Sequence, residues 1–120
     1  MSPNSLHDKA LSFAVRIVNL YKYLTQDKSE FVMSKQILRS GSSIGANVSE
    51  SIAAESSADF IHKLCIANKE AHETLYWLEL LRRTNYLSHE QYDSLYQDCK
   101  ELSRILTSSV LTLKRKEINS

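Results

Sequence analysis

Glycine occurs only twice and proline once in 120 residues. The one proline, Pro3, stands ahead of the patterned part of the chain, so nothing after it obliges the backbone to break. That scarcity points to helices. Strands find no place, because β-branched and aromatic residues never alternate with polar ones over a strand's length. No stretch approaches the roughly 18 apolar residues that span a bilayer, and no apolar run follows a basic start, which predicts a cytoplasmic protein with no membrane partner. There are two cysteines, Cys65 and Cys99, each inside an apolar helical pattern and without a CxxC neighbour. They read as buried thiols in a reducing compartment rather than as a disulfide or a zinc site. Charge of one sign is also missing: 15 Lys and Arg face 14 Asp and Glu, a formal net of +1. No whole-molecule field draws the chain to nucleic acid or anionic lipid, so any such contact must be local.

What is present is a helical period. A chain of this length fits one domain, 1–120, able to bury roughly two-thirds of its unfolded surface around a single core. Leu6, Ala10, Phe13, Ile17, Leu20 and Leu24 recur at spacings of four and three and predict a helix over about 5–25, with Asn4 or Ser5 as its cap. Met33, Ile37, Gly41, Ile44, Val48 and Ile52 predict a second over about 30–53. Its middle, Ser40-Gly41-Ser42-Ser43-Ile44-Gly45, has poor helix propensity, yet the stripe keeps phase across it. One helix is therefore expected, with Gly41 and Gly45 admitting a close neighbouring backbone; a loop or kink there is the alternative. Phe60, Leu64, Ala67, Ala71, Leu75 and Leu78 mark a third helix over about 57–84, capped by Ser57, with Arg82 and Arg83 suiting its negative end and Asn85 as C-cap. Ser88 and Gln91 form a capping box for a fourth over about 88–115, striped by Tyr92, Leu95, Cys99, Leu102, Leu106, Ser109 and Leu113. The residues from Glu117 on are expected to fray. Four such helices on short connections predict an all-α, antiparallel, up-down-up-down, left-handed four-helix bundle.

The sequence carries no recognisable catalytic pattern. A carboxylate-bridged di-metal centre needs two Glu-x-x-His pairs and two further Glu. The nearest match is Asp59-Phe60-Ile61-His62, and the residues three before His7, His72 and His89 are Asn4, Lys69 and Tyr86. No phosphate loop, nucleophile elbow or zinc spacing occurs. The expectation is a protein that is not an enzyme, with no cofactor, no metal and no small-molecule substrate.

Two faces away from the core stripes suggest a partner. In the third segment Ile66, Glu73, Trp77 and Leu80 lie on a line roughly 130 degrees from the core stripe. A lone bundle would expose this line, so it is read as an interface between copies of the chain, with Trp77 as anchor. In the second segment Arg39, Ser43, Asn47 and Glu50 form a polar edge. There Arg39 can pair with Glu50 or Glu73, setting registry rather than adding much stability; a solvated face is the alternative. For nucleic acid the candidates are Lys63, Lys69, Arg82 and Arg83, and the terminal triplet Lys114, Arg115 and Lys116, although such a triplet equally serves the helix dipole. Symmetry would multiply any such patch.

Gln36-Ile37-Leu38-Arg39-Ser40, Ser43-Ile44-Gly45-Ala46-Asn47-Val48-Ser49-Glu50, Ala53-Ala54-Glu55-Ser56, Asp59-Phe60-Ile61-His62-Lys63-Leu64, Ile66-Ala67 and Glu73-Thr74-Leu75-Tyr76-Trp77-Leu78 together carry a resemblance. Over about residues 10–115 the chain closely resembles the bacterial four helix bundle proteins encoded in 23S rRNA intervening sequences. The resemblance implies antiparallel four-helix subunits, a homopentameric ring, and kinship with the accessory variability determinant of diversity-generating retroelements, which binds nucleic acid and a reverse transcriptase. It places Arg39, Asn47, Glu50 and Glu73 at the family's polar positions and so favours interface or structural contacts for them. The near-neutral charge departs from the strongly basic surface of the accessory determinants and weakens the case for tight RNA binding. The resulting expectation is a homo-oligomeric helical scaffold that binds RNA or a nucleic-acid enzyme; the alternative is a protein-only adaptor with no nucleic-acid role.

Overall fold

The computed structural model describes the backbone of residues 3–119 and the side chains from Leu6 to Asn119. Four helices run in order: α1, Pro3–Gln26; α2, Met33–Ile52; α3, Ser57–Arg83; α4, His89–Ile118. Each packs on its neighbours in sequence, and α4 closes on α1, while the diagonal pairs α1/α3 and α2/α4 do not meet. This is an antiparallel four-helix bundle, 52 by 22 by 21 Å, and no strand occurs among the described residues. The side chains of Asn4 and Ser5, expected to cap α1, lie outside the described residues.

The stripes that the period marks are the core. Every apolar member of the first stripe is buried, as are Ile37, Ile44 and Val48 of α2, Leu64 to Leu78 of the third stripe, and Leu95, Cys99, Leu102 and Leu106 of α4. Several expectations need correcting. Ile52, the last member of its stripe, is 57% exposed because α2 ends on it. Cys65 is only half-buried, whereas Cys99 is fully buried and burial pushes its thiol up to about 12. At the C-terminal end α4 runs on to Ile118, past the expected end near 115; Ser120 lies outside the described residues.

The middle of α2 is unbroken helix. Its serines bond back to their own helix: Ser42 Oγ donates to the Leu38 carbonyl at 2.7 Å, Ser43 Oγ to that of Arg39 at 2.6 Å. Gly41 sits on Ile17, where an added Cβ would come within 2.7 Å of its Cγ1, so this glycine makes room for a side chain rather than a backbone. Gly45 is the one that faces backbone, with the Ala10 carbonyl 3.4 Å from such a Cβ. Across the other side of α2, the buried Ser40 and Thr74 hydroxyls lie 2.9 Å apart, and Thr74 donates to the Glu70 carbonyl at 2.8 Å. Packing against α1 and α3 thus overrides a poor local propensity.

Helix α3 starts at Ser57 as expected, and the other helix ends differ from the expected ones by one to three residues. Helix α2 starts at Met33 because Glu30, 7% exposed, serves as an anion at its N-terminus. One carboxylate oxygen accepts from the Ser34 N–H at 2.7 Å and the other from Val32 and Met33 at 3.2 Å, satisfying donors that the first turn leaves open. Ser29, at φ 52, turns the chain between α1 and this clamp. The cap of α3 is Ser56, not Ser57, accepting from Asp59 N–H at 3.1 Å. Thr84 is the C-cap of α3, and Asn85 follows it at φ 68, the left-handed position that asparagine tolerates. The Ser88/Gln91 capping box forms as its sequence predicts, with both reciprocal bonds made.

Candidate functional site

The α2–α3 flank carries the residues singled out as an interface, and the chain already uses them on itself. Arg39 donates to Glu70 at 2.9 Å and to Glu73, and the Trp77 indole N–H donates to the same Glu73 oxygen at 3.0 Å. The Trp77 hydrogen bond, with Arg39 beside it, holds the Glu73 carboxyl below the usual range, and the bond to Glu73 raises the Arg39 guanidinium. Arg39 chooses Glu73 over Glu50; Glu50 instead lies 3.8 Å from Lys63. Asn47 donates to the Ser43 carbonyl at 2.8 Å. Ile66, Glu73, Trp77 and Leu80 are half-covered rather than bare, a correction to the expectation for a lone bundle. Tyr76, beside them, is 59% exposed and meets Trp77 edge to face.

Helix α1 offers a second face that its sequence did not announce. Leu11 (57% exposed), Val15 (56%) and Val18 follow one line on the outside of the bundle, about 140 degrees from the buried stripe at 100 degrees per residue. The signal was available as an i, i+4, i+7 apolar pattern, but the stronger core stripe in the same helix masked it.

The candidate nucleic-acid cations scatter. Lys63 is paired with Glu50, and Arg82 and Arg83 both share Glu79, at 3.7 and 3.1 Å. Arg82 also lies over the Tyr92 ring at 4.8 Å. Lys69, Lys114, Arg115 and Lys116 are exposed and form no ion pair among the described residues. Two of these seven positions line concavities: Lys116 borders one between α2, α3 and α4 that also holds Glu55 and Glu117, and Arg115 one shared by α3 and α4, where Lys100, Arg104 and His72 join it. Asn68 organises the floor of that seam: its Oδ1 accepts from Ser103 at 2.8 Å and its Nδ2 donates to Thr107 at 3.1 Å. On the opposite seam Lys9 pairs with Glu101 and Arg16 with Asp98, both at 2.6 Å. The hydrogen bond from Lys9 is the main cause of the lowered Glu101 carboxyl, with the charges of Lys9 and Arg104 adding to it.

No group of three or more His, Cys, Asp and Glu side chains among the described residues is arranged to hold a metal ion, and no described helix is long and apolar enough to cross a membrane.

Fold and surface together define an antiparallel helical-bundle protein with distinct polar and apolar outward faces. The chain belongs to the 23S rRNA-intervening sequence protein family, whose model matches residues 4–108. It is also similar to a crystallised protein of unknown function from the S23 ribosomal protein family of Bacteroides thetaiotaomicron. That protein is 60% identical, the match covers 92% of this chain and 98% of that one, and the TM-score is 0.90. No curated protein matches.

Proposed function

We propose that this chain is a subunit of a non-enzymatic, homo-oligomeric helical scaffold. The observation that carries the reading is the placement of its two apolar faces. Leu11, Val15 and Val18 lie on the outside of α1, and Tyr76 with the half-covered Ile66, Trp77 and Leu80 on the outside of α3. These helices are diagonal in the bundle, so the two faces point away from each other. Joining one face to the other is a heterologous contact, which repeats around a ring if the rotation closes. Five copies is the number implied by the family resemblance. The interface set of Arg39, Asn47, Glu50, Ile66, Glu73, Trp77 and Leu80 then acts in two ways: the polar members brace α2 on α3, and the apolar ones meet the next subunit.

Light scattering on Val15→Asp and Tyr76→Asp tests this. Each variant should fall to a monomer, and the two mixed should give a one-to-one dimer, since each keeps the face the other lost. A monomeric wild type, or a variant that keeps its assembly, would overturn the proposal. RNA, or a nucleic-acid enzyme such as a reverse transcriptase, is the second reading of what the scaffold holds, favoured by the unpaired cations on the α3–α4 seam.

A further inference from the structure

We propose that the seam between α3 and α4 is a groove for the phosphodiester backbone of a single-stranded nucleic acid. The proposal is independent of assembly, because the groove lies within one subunit.

The seam is an open trough of about 400 Å³. Lys100, Arg104 and Arg115 from α4 and His72 from α3 line it, and no carboxylate does. In a chain with a net charge of only +1, this is charge segregation. Among the acids engaged elsewhere are Glu70 and Glu73 on Arg39, Glu79 on Arg82 and Arg83, Glu50 on Lys63, Asp98 on Arg16 and Glu101 on Lys9, the last also feeling the charge of Arg104. The groove's three permanent cations form no ion pair among the described residues.

Three features select the ligand. Positions 100, 104 and 115 share one side of α4, and Lys100 and Arg115 stand about 22 Å apart along the axis at 1.5 Å per residue. One small anion does not bridge that span, whereas a chain of phosphates does. Between the cations lie hydroxyl donors of the kind that meet phosphate oxygens. Thr107 is the best placed, because its oxygen accepts from Asn68 and its own hydrogen is left to donate outward. Finally, the trough lacks the aromatic anchors that give a protein partner its binding energy; Leu111 is the sole apolar side chain among the residues lining it. A trough between two helices packed some 8–10 Å apart admits a single strand, while a duplex would touch only its rim.

Anisotropy of a fluorescein-labelled twelve-nucleotide oligouridylate, its deoxy counterpart and a twelve-residue oligoglutamate, each titrated with the full chain at 50 and 200 mM KCl, tests the proposal. The wild type should bind both oligonucleotides and lose affinity steeply with salt. Arg104→Gln with Arg115→Gln should weaken binding at least tenfold at 50 mM and flatten the log–log salt dependence by about 0.7 per cation removed. Arg104→Lys with Arg115→Lys should restore affinity to within a few-fold. The paired-cation control, Lys63→Gln with Arg83→Gln, should stay within twofold of wild type. Equal affinity for the ribose and deoxyribose strands assigns recognition to the backbone alone; preference for ribose assigns RNA. No binding at 50 mM, an equal loss in the control, or oligoglutamate bound as tightly as the oligonucleotide would each overturn the proposal. Repeating the titration on Val15→Asp separates groove from assembly: loss of the oligomer lowers avidity but leaves the effect of Arg104 and Arg115 in place.

Discussion

The two seams that flank α1 are built on different physics. Against α2, α1 lays Ala10 and Ile17 onto Gly45 and Gly41, close enough that a single methyl group at Gly41 would collide. Against α4 it makes its sparsest interhelical contact and is tied at the surface by Lys9 to Glu101 and by Arg16 to Asp98 and Ser94. The first seam is dry and shape-determined, the second wet and ionic. Interiors packed to crystal density respond to one added carbon, whereas exposed ion pairs contribute little and are screened. Stability is therefore expected to reside on the α2 side, and the α1–α4 seam to be the edge at which the bundle opens first.

Four measurements break or sharpen that contrast. Glu30→Ala should cost the most, about 2 kcal/mol by urea denaturation, because it strips the acceptor from the backbone N–H groups of Val32, Met33 and Ser34. Gly41→Ala should cost about 1–2 kcal/mol in the same assay, the overpacking against Ile17 exceeding the gain in helix propensity. Gly45→Ala has the opposite sign: its Cβ meets the Ala10 carbonyl at ordinary contact distance, so propensity should win and raise stability by about 0.5–1 kcal/mol. Equal losses at both glycines would mean that the seam is uniformly tight, and the contrast would fail. Across the ionic seam, Arg16→Ala should cost less than about 1 kcal/mol, with the loss shrinking further in high salt.

The smallest effect is a pH dependence on the α2–α3 flank. Glu73 is held below the usual carboxylate range in the fold, so its contribution is present at neutral pH and is lost as pH falls through that lowered value. Trp77 emission should shift over the same acid window as its indole loses the ionised acceptor. A Glu73→Gln variant that still shows the shift would reassign it to another group.

Much of the fold is legible in the chain because a one-sided helix must repeat its apolar residues at three and four, and the stripes from Leu6 to Leu24 and from Leu64 to Leu78 keep that period without interruption. Caps with a local chemical signature, such as Ser88 with Gln91, are equally readable. Glu30 was not, since a glutamate beside a helix start is ordinary, and only the folded turn at Ser29 brings its carboxylate back over three backbone donors. The outward faces are less legible. A single helix shows which residues lie opposite its core but not what a neighbour lays beside them: Ile66, Trp77 and Leu80 are half-covered, and Glu73 is taken up by Arg39 from α2.

The sequence by itself determined the number of helices, their buried stripes and the absence of the di-metal ligand pattern, because these depend on period and residue type within one helix. Tertiary structure decided which charges are spent and which remain. Arg82, Arg83 and Lys63 look like basic candidates in the sequence and are paired with Glu79 and Glu50, while Arg115, a candidate from the terminal triplet, shares one trough with Lys100, Arg104 and His72 and no acid. Charge pairing between helices acts over a few ångströms across residues far apart in the chain, and only folding sets those distances.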